Sequence, residues 1–203
     1  MITDAHESVS AQAIVEEDRY RAGAYSLLGA LLRAEPDEAL LERVRAFAQT
    51  VAEGELATAL SAVGMAARTV SVDDCRQEFF ALFIGIGRGE LVPYGSWYLT
   101  GFLMERPLGE LRADLARLGF VRDESTREPE DHVGALCEVM SMLVQETDSL
   151  DRQRKFFSRH MAPWLERFFA DLAAAKSASF YRAVARFGTS FSAFEKNYLQ
   201  MEV

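Results

Sequence analysis

The chain has 203 residues and a formal net charge of −9, with 49% hydrophobic and 26% charged side chains. That length buries one ordinary core or two small lobes without staples, and the mixture is that of a soluble globular protein. The acidic balance excludes the basic footprint that nucleic acid requires, and no apolar run approaches the ~20 residues of a membrane span.

Helical periodicity dominates from the start. Met1 to Glu17 carries Asp4, Glu7, Glu16 and Glu17 and lacks a basic stretch followed by an apolar one, so no export signal is read there. Tyr20, Ala24, Leu27, Leu28, Leu31 and Leu32 recur at helix spacing and end near Glu35-Pro36. Pro36 opens a second helix with Leu40, Leu41, Val44, Phe47, Ala48 and Val51 on one face, and Gly54 stops it. A third segment, Glu55 to Ala67, carries Leu56, Leu60 and Val63. Asp73 or Asp74 caps a fourth, with Cys75, Phe79, Leu82 and Phe83 turned inward.

The pattern breaks between Ile84 and Gly101, where Gly85, Gly87, Gly89 and Gly95 are joined by Pro93 and the aromatics Tyr94, Trp97 and Tyr98. Helix resumes at Pro107 with Leu108, Leu111, Leu115 and Leu118, and Gly119 ends it. A polar loop, Arg122 to Arg127, leads to Glu128-Pro129-Glu130-Asp131-His132. Proline suits a first helical turn, and acidic neighbours complement the helix dipole. Behind them Val133, Leu136, Cys137, Met140, Leu143 and Val144 form one apolar stripe. Leu150 to His160 is a shorter amphipathic piece; Pro163 starts a helix burying Trp164, Leu165, Phe168, Phe169 and Leu172. Ser179 caps a last one, with Phe180, Tyr181, Val184 and Phe187 ahead of Gly188, extended by Phe191, Phe194 and Tyr198. No segment alternates with a period of two, so the expected class is all-α, a bundle of eight to ten helices.

Three features bear on chemistry. Gly85-Ile86-Gly87-Arg88-Gly89 has the flavour of a phosphate loop, but it follows a helix and lacks a Lys-Ser/Thr pair; a sharply turning connector is the alternative to a nucleotide-binding regulator. Asp131-His132 is open to two readings: a small metal-dependent hydrolase, or a helix start in which Asp131 satisfies backbone donors and His132 packs at the stripe's edge. With three histidines and two cysteines never at ligand spacing, neither a metal site, a cofactor nor a disulfide framework is expected, and the reducing cytoplasm is the expected compartment. Tyr94, Trp97, Tyr98 and Phe102 either fill core or floor a peptide groove, for which Glu90, Glu105 and the carboxylates of the second motif would supply an acidic rim.

Taken together, Glu78-Phe79-Phe80-Ala81-Leu82-Phe83, the run from Gly89 through Pro93-Tyr94-Gly95-Ser96-Trp97-Tyr98 to Gly101, Pro107-Leu108 and Glu128-Pro129-Glu130-Asp131-His132 resemble the TorD/DmsD/NarJ family of redox-enzyme maturation chaperones. The resemblance covers about residues 10–200 and is sharpest from Glu78 to Met142. It implies a cytoplasmic, non-enzymatic, all-helical chaperone. Such a protein binds the twin-arginine signal peptide, or the body, of a molybdopterin oxidoreductase of the DMSO/TMAO reductase or formate dehydrogenase type. It holds that precursor until its cofactor is inserted and releases it for export. Carried over by position, client binding falls to Tyr94, Ser96, Trp97, Tyr98, Glu128, Asp131 and His132, and a hinge to Glu128, Pro129 and Glu130. The implied organisation is an N-terminal lobe over 1–121, a hinge over 122–132 and a C-terminal lobe over 133–203. A monomer with a minor domain-swapped dimer, no nucleic acid and no stable membrane insertion complete the expectation.

Overall fold

The computed structural model describes residues 3–50, 53–121, 128–146 and 149–201, with side chains from Glu16 onward. Among these the fold is all-α, with ten helices: α1 (Thr3–Arg33), α2 (Glu38–Ala46), α3 (Glu55–Thr69), α4 (Val72–Phe79), α5 (Gly95–Thr100), α6 (Arg106–Leu118), α7 (Val133–Glu146), α8 (Leu150–His160), α9 (Leu165–Ala174) and α10 (Phe180–Tyr198). No strand occurs among the described residues; Tyr94 and His132 form a single isolated antiparallel bridge. No described helix is long and apolar enough to cross a membrane.

The boundaries depart from the sequence expectation where capping chemistry decides. α2 starts at Glu38 because the Asp37 side chain, not Pro36, accepts the Leu40 N–H at 2.7 Å. Gly54, at φ +111°, does not stop α2 but sits at the N-cap of α3. Ser71 rather than Asp73 or Asp74 caps α4: its hydroxyl accepts the Asp74 N–H and donates to the Asp74 carboxylate. α7 starts at Val133, so Pro129 lies in the turn before it. α9 starts at Leu165, two residues after Pro163. α10 runs straight through Gly188, where a Cβ would stand 2.2 Å from the Phe169 ring, so that glycine admits a neighbour and ends nothing.

One hydrophobic core joins all of this. Tyr25, Leu28, Leu31 and Leu32 of α1 pack with Val133, Leu136, Cys137 and Met140 of α7, and Phe168, Phe169, Tyr181, Phe187 and Phe191 fill the α9–α10 side. α1 lies closely along α7 because Gly29 and Gly134 face it: a Cβ on Gly134 would meet Arg33 at 2.9 Å. Packing therefore crosses from the first half of the chain to the second, while the loop 122–127 lies outside the described residues. Tyr20, expected on the α1 stripe, is 64% exposed. The fully buried position beside it is Arg21, whose guanidinium pairs with buried Glu195 of α10 and donates to Gln153 of α8 at 2.8 Å. Tyr25 donates to the same Glu195 at 2.8 Å. Removing one partner of such a buried pair costs on the order of 3–5 kcal/mol, so it pins three helices together.

Candidate functional site

α4 runs into a π-helical turn, Phe80–Ile84, and the glycines after it fold the chain back on that turn. The Leu91 N–H donates to the Leu82 carbonyl at 2.8 Å, and a Cβ on Gly89 would stand 2.6 Å from the same oxygen. Gly85, at φ +61°, would place a Cβ 2.2 Å from the Arg88 carbonyl. These are the demands of a tight connector, which accounts for the glycines of 85–89 without a phosphate. Among the described residues no group of three or more His, Cys, Asp or Glu side chains is arranged to hold a metal ion.

That connector delivers Pro93 and Tyr94 to the turn before α7. The Val133 N–H donates to the Pro93 carbonyl at 2.9 Å and the Gly95 N–H to the Asp131 carbonyl at 2.9 Å. The Asp131 carboxylate accepts the Ser96 N–H at 2.7 Å, so Asp131 caps α5 across 35 residues of sequence rather than α7 beside it. α7 is instead served by His132, whose Nδ1 accepts the Gly134 N–H at 3.1 Å. This bond places the ring proton on Nε2, 3.9 Å from Glu128. Burial pushes the His132 pKa below its ordinary 6.5, outweighing the pull of Glu128. The Tyr94 ring stands edge-on to His132 at 5.1 Å, and its hydroxyl donates to Glu128 at 2.7 Å.

The structure thus brings Tyr94, Ser96, Glu128, Asp131 and His132 together, with Ser96, Asp131 and His132 all buried. It separates the other aromatics. Tyr98 stacks on Trp164 at 5.4 Å and meets Phe168 at 5.9 Å, which makes it the edge of the core; burial, with Asp171 second, raises its pKa. Trp97 is half-buried under the Arg88 guanidinium, 4.8 Å from its ring centre. Phe102 joins neither and is 67% exposed.

The expected acidic rim is largely matched internally. Glu90 accepts the backbone N–H groups of Lys176 and Ser177, Glu130 pairs with Arg112 at 2.9 Å and Glu128 holds Tyr94, whereas Glu105 is exposed where α6 begins. Two polar atoms at the centre are not matched. Ser96 Oγ and Asp131 Oδ1, on side chains 0% and 3% exposed, have no hydrogen-bond partner among the described residues. Both residues line a cavity of about 90 Å³ with Leu99, Pro107, Glu110, Arg159 and His160. An orphaned buried polar group costs about 1–3 kcal/mol, so such a pair needs a reason. Sequence reasoning missed the far wall of this cavity. His160 Nε2 lies 2.7 Å from Asp114, and Arg159 is matched by Asp114 at 2.8 Å and Glu110 at 3.4 Å. Its scarcity as one of three histidines was the only signal His160 carried.

A family model described as "Nitrate reductase delta subunit" matches residues 44–170. Among curated relatives, the chaperone protein TorD of Vibrio parahaemolyticus is 25% identical over 134 residues, 60% of this chain and 62% of that protein. The TorD of Shewanella pealeana is 24% identical across the whole of both chains. The chain spans about 60% of the length of the Vibrio relatives it matches. A crystal structure of an Archaeoglobus fulgidus protein assigned to redox enzyme maturation superposes with a TM-score of 0.57 at 19% identity, covering 87% of this chain and 93% of that one, a likeness of fold. The named relatives are chaperones, not enzymes.

Proposed function

The chain belongs to the nitrate reductase delta subunit family, and we propose on that premise that it is a non-enzymatic maturation chaperone for a redox enzyme. Its client is the apo-form of a molybdopterin oxidoreductase, of the DMSO/TMAO reductase or formate dehydrogenase type. The chaperone holds the twin-arginine signal peptide of that precursor in the cytoplasm until the cofactor is in place. It brings no cofactor of its own, and the monomer with a minor lobe-exchanged dimer remains part of this reading, with 1–121 and 133–203 as the lobes about Glu128, Pro129 and Glu130.

The observation that carries the reading is the orphaned pair, Ser96 Oγ and Asp131 Oδ1, without a partner among the described residues, on two side chains that line one small cavity. A lone carboxylate oxygen beside a hydroxyl calls for a group rich in donors. An arginine guanidinium presents five N–H donors in a plane and prefers carboxylates. The Asp131 carboxylate is fixed by the Ser96 N–H and its carbonyl by the Gly95 N–H, and beside it Tyr94 stands against His132 and donates to Glu128, while Trp97 and Tyr98 follow on α5 and line a separate cavity with Arg88, Glu90 and Asp171.

Two conservative variants test this against a synthetic twin-arginine leader by fluorescence anisotropy. Ser96→Ala deletes a hydroxyl without a partner, so folding stability should hold or rise by up to about 1 kcal/mol while leader affinity falls. Asp131→Asn keeps an acceptor for the Ser96 N–H and loses the charge, and affinity should drop roughly tenfold or more. Unchanged affinity in the folded double variant refutes the site.

A further inference from the structure

The cavity of the orphaned pair is also lined by a buried titratable group that the client reading leaves unused. His160 of α8 is 8% exposed, and its Nε2 lies 2.7 Å from Asp114 of α6. Ionised Asp114 only accepts, so the neutral ring carries its proton on Nε2 and takes a second one at Nδ1. The ring is well fixed: it stands 5.1 Å from Phe156, and the His160 carbonyl accepts the Trp164 Nε1–H at 2.8 Å.

The charges around His160 are closely balanced. Glu110 of α6 is bonded to Arg106 at 2.7 Å and to Arg159 of α8 at 3.4 Å. Asp114 is shared by Arg117 at 2.7 Å, Arg159 at 2.8 Å and His160 itself. Three guanidinium groups thus share two carboxylates, which leaves one positive charge over. Asp131, on the same cavity, supplies the matching negative charge, and its Oδ1 has no partner among the described residues. With His160 neutral the cluster balances and Asp131 is open to a cation. A proton on His160 makes it net positive. Both α6 carboxylates are already engaged by arginines, so the new charge acts on Asp131 and opposes any cation that would bind there. Burial holds the His160 pKa below its ordinary 6.5 against the pull of Asp114, which sets the change on the acid side of neutrality.

We infer that His160, held by Asp114, is a proton-operated control on cation binding at Ser96 and Asp131: the neutral imidazole leaves Asp131 to a guanidinium ligand, and the imidazolium turns that ligand away. This rests on the client-site reading and adds its regulation. Linkage makes the effect reciprocal. A bound guanidinium must make His160 harder to protonate by the same factor by which protonation weakens binding.

The test uses the full chain and an acetylated synthetic twin-arginine leader without His, Asp or Glu, so that only the protein titrates. In fluorescence anisotropy the parent protein should lose roughly tenfold in affinity as pH falls from about 7.5 through the His160 titration. His160→Gln keeps an amide donor for Asp114 and has no titratable charge. It should bind as the parent protein does at about pH 7.5 and lose the greater part of the pH step. Imidazole NMR of the parent protein gives a second readout that needs no variant to fold. Saturating leader should lower the His160 midpoint by about one pH unit, which a purely structural histidine would not show. Equal pH profiles in the parent protein and a folded His160→Gln, or a His160 midpoint unmoved by bound leader, refute the control while the client site stands. Affinity that rises on acidification refutes it as well. If the parent protein binds no leader at about pH 7.5, both readings fall.

Discussion

Glu78, the first residue of the Glu-Phe-Phe run, is the position whose replacement should cost most for the least change in volume. Its carboxylate reaches from α4 to the start of α10, where it accepts the N–H groups of Ser179 and Tyr181 at 2.7 Å each and of Phe180 at 3.0 Å. Ser179 itself, expected as the cap, contributes no side-chain bond. Phe180 and Tyr181 are 2% and 0% exposed, so water cannot replace the lost acceptor at two of the three amides. Two buried donors left unpaired cost about 1–3 kcal/mol each, and the lost cap and its favourable charge at the helix start about 1 kcal/mol more. Glu78→Ala should therefore lose about 4 kcal/mol, and Glu78→Gln, which retains one acceptor, about half of that. For a chain of this size the alanine variant should melt on the order of 8–16 °C lower. Urea titration followed by far-ultraviolet circular dichroism should show a lower midpoint with an unchanged slope. A loss below about 1 kcal/mol for Glu78→Ala would mean that α10 is capped adequately without it, and the account fails.

Gly188→Ala drives a methyl group into the Phe169 ring and should cost about 2 kcal/mol despite alanine's better helix propensity, whereas Gly23→Ala, where a Cβ meets nothing within 4 Å, should gain about 0.5–1 kcal/mol. Differential scanning calorimetry of the pair checks both signs at once. Burial depresses the pKa of His132 and of His160, overcoming the pull of Glu128 on the first and of Asp114 on the second. The unfolded chain then takes up protons that the folded one resists. This stabilising contribution is complete above about pH 6.5 and lost as pH falls through the folded values. Urea midpoints should accordingly decline between about pH 7 and pH 5, less steeply in His132→Asn; a midpoint that rises on acidification refutes the assignment.

Helix number and class were legible because burial on one face imposes a 3.6-residue period that local sequence must carry, as Val133 to Val144 and Phe180 to Phe191 do. Helix ends were less legible. Asp37, Ser71 and Glu78 compete with equally plausible neighbours for the same amides, and only the folded geometry says which oxygen arrives. The same holds for the site. Sequence pattern and family resemblance singled out both the Pro93 to Tyr98 loop and the Glu128 to His132 turn, and assigned Asp131 to the helix that follows it. Tertiary structure assigned Asp131 to α5 instead, gave the start of α7 to His132 and left Ser96 Oγ and Asp131 Oδ1 without partners among the described residues, on side chains lining one cavity with Arg159 and His160. Periodicity is a property of neighbours along the chain and so is written in the sequence. The pairing of a carboxylate with an amide 35 residues away depends on how α5, α6, α7 and α8 stack, and that is decided only when the whole core closes.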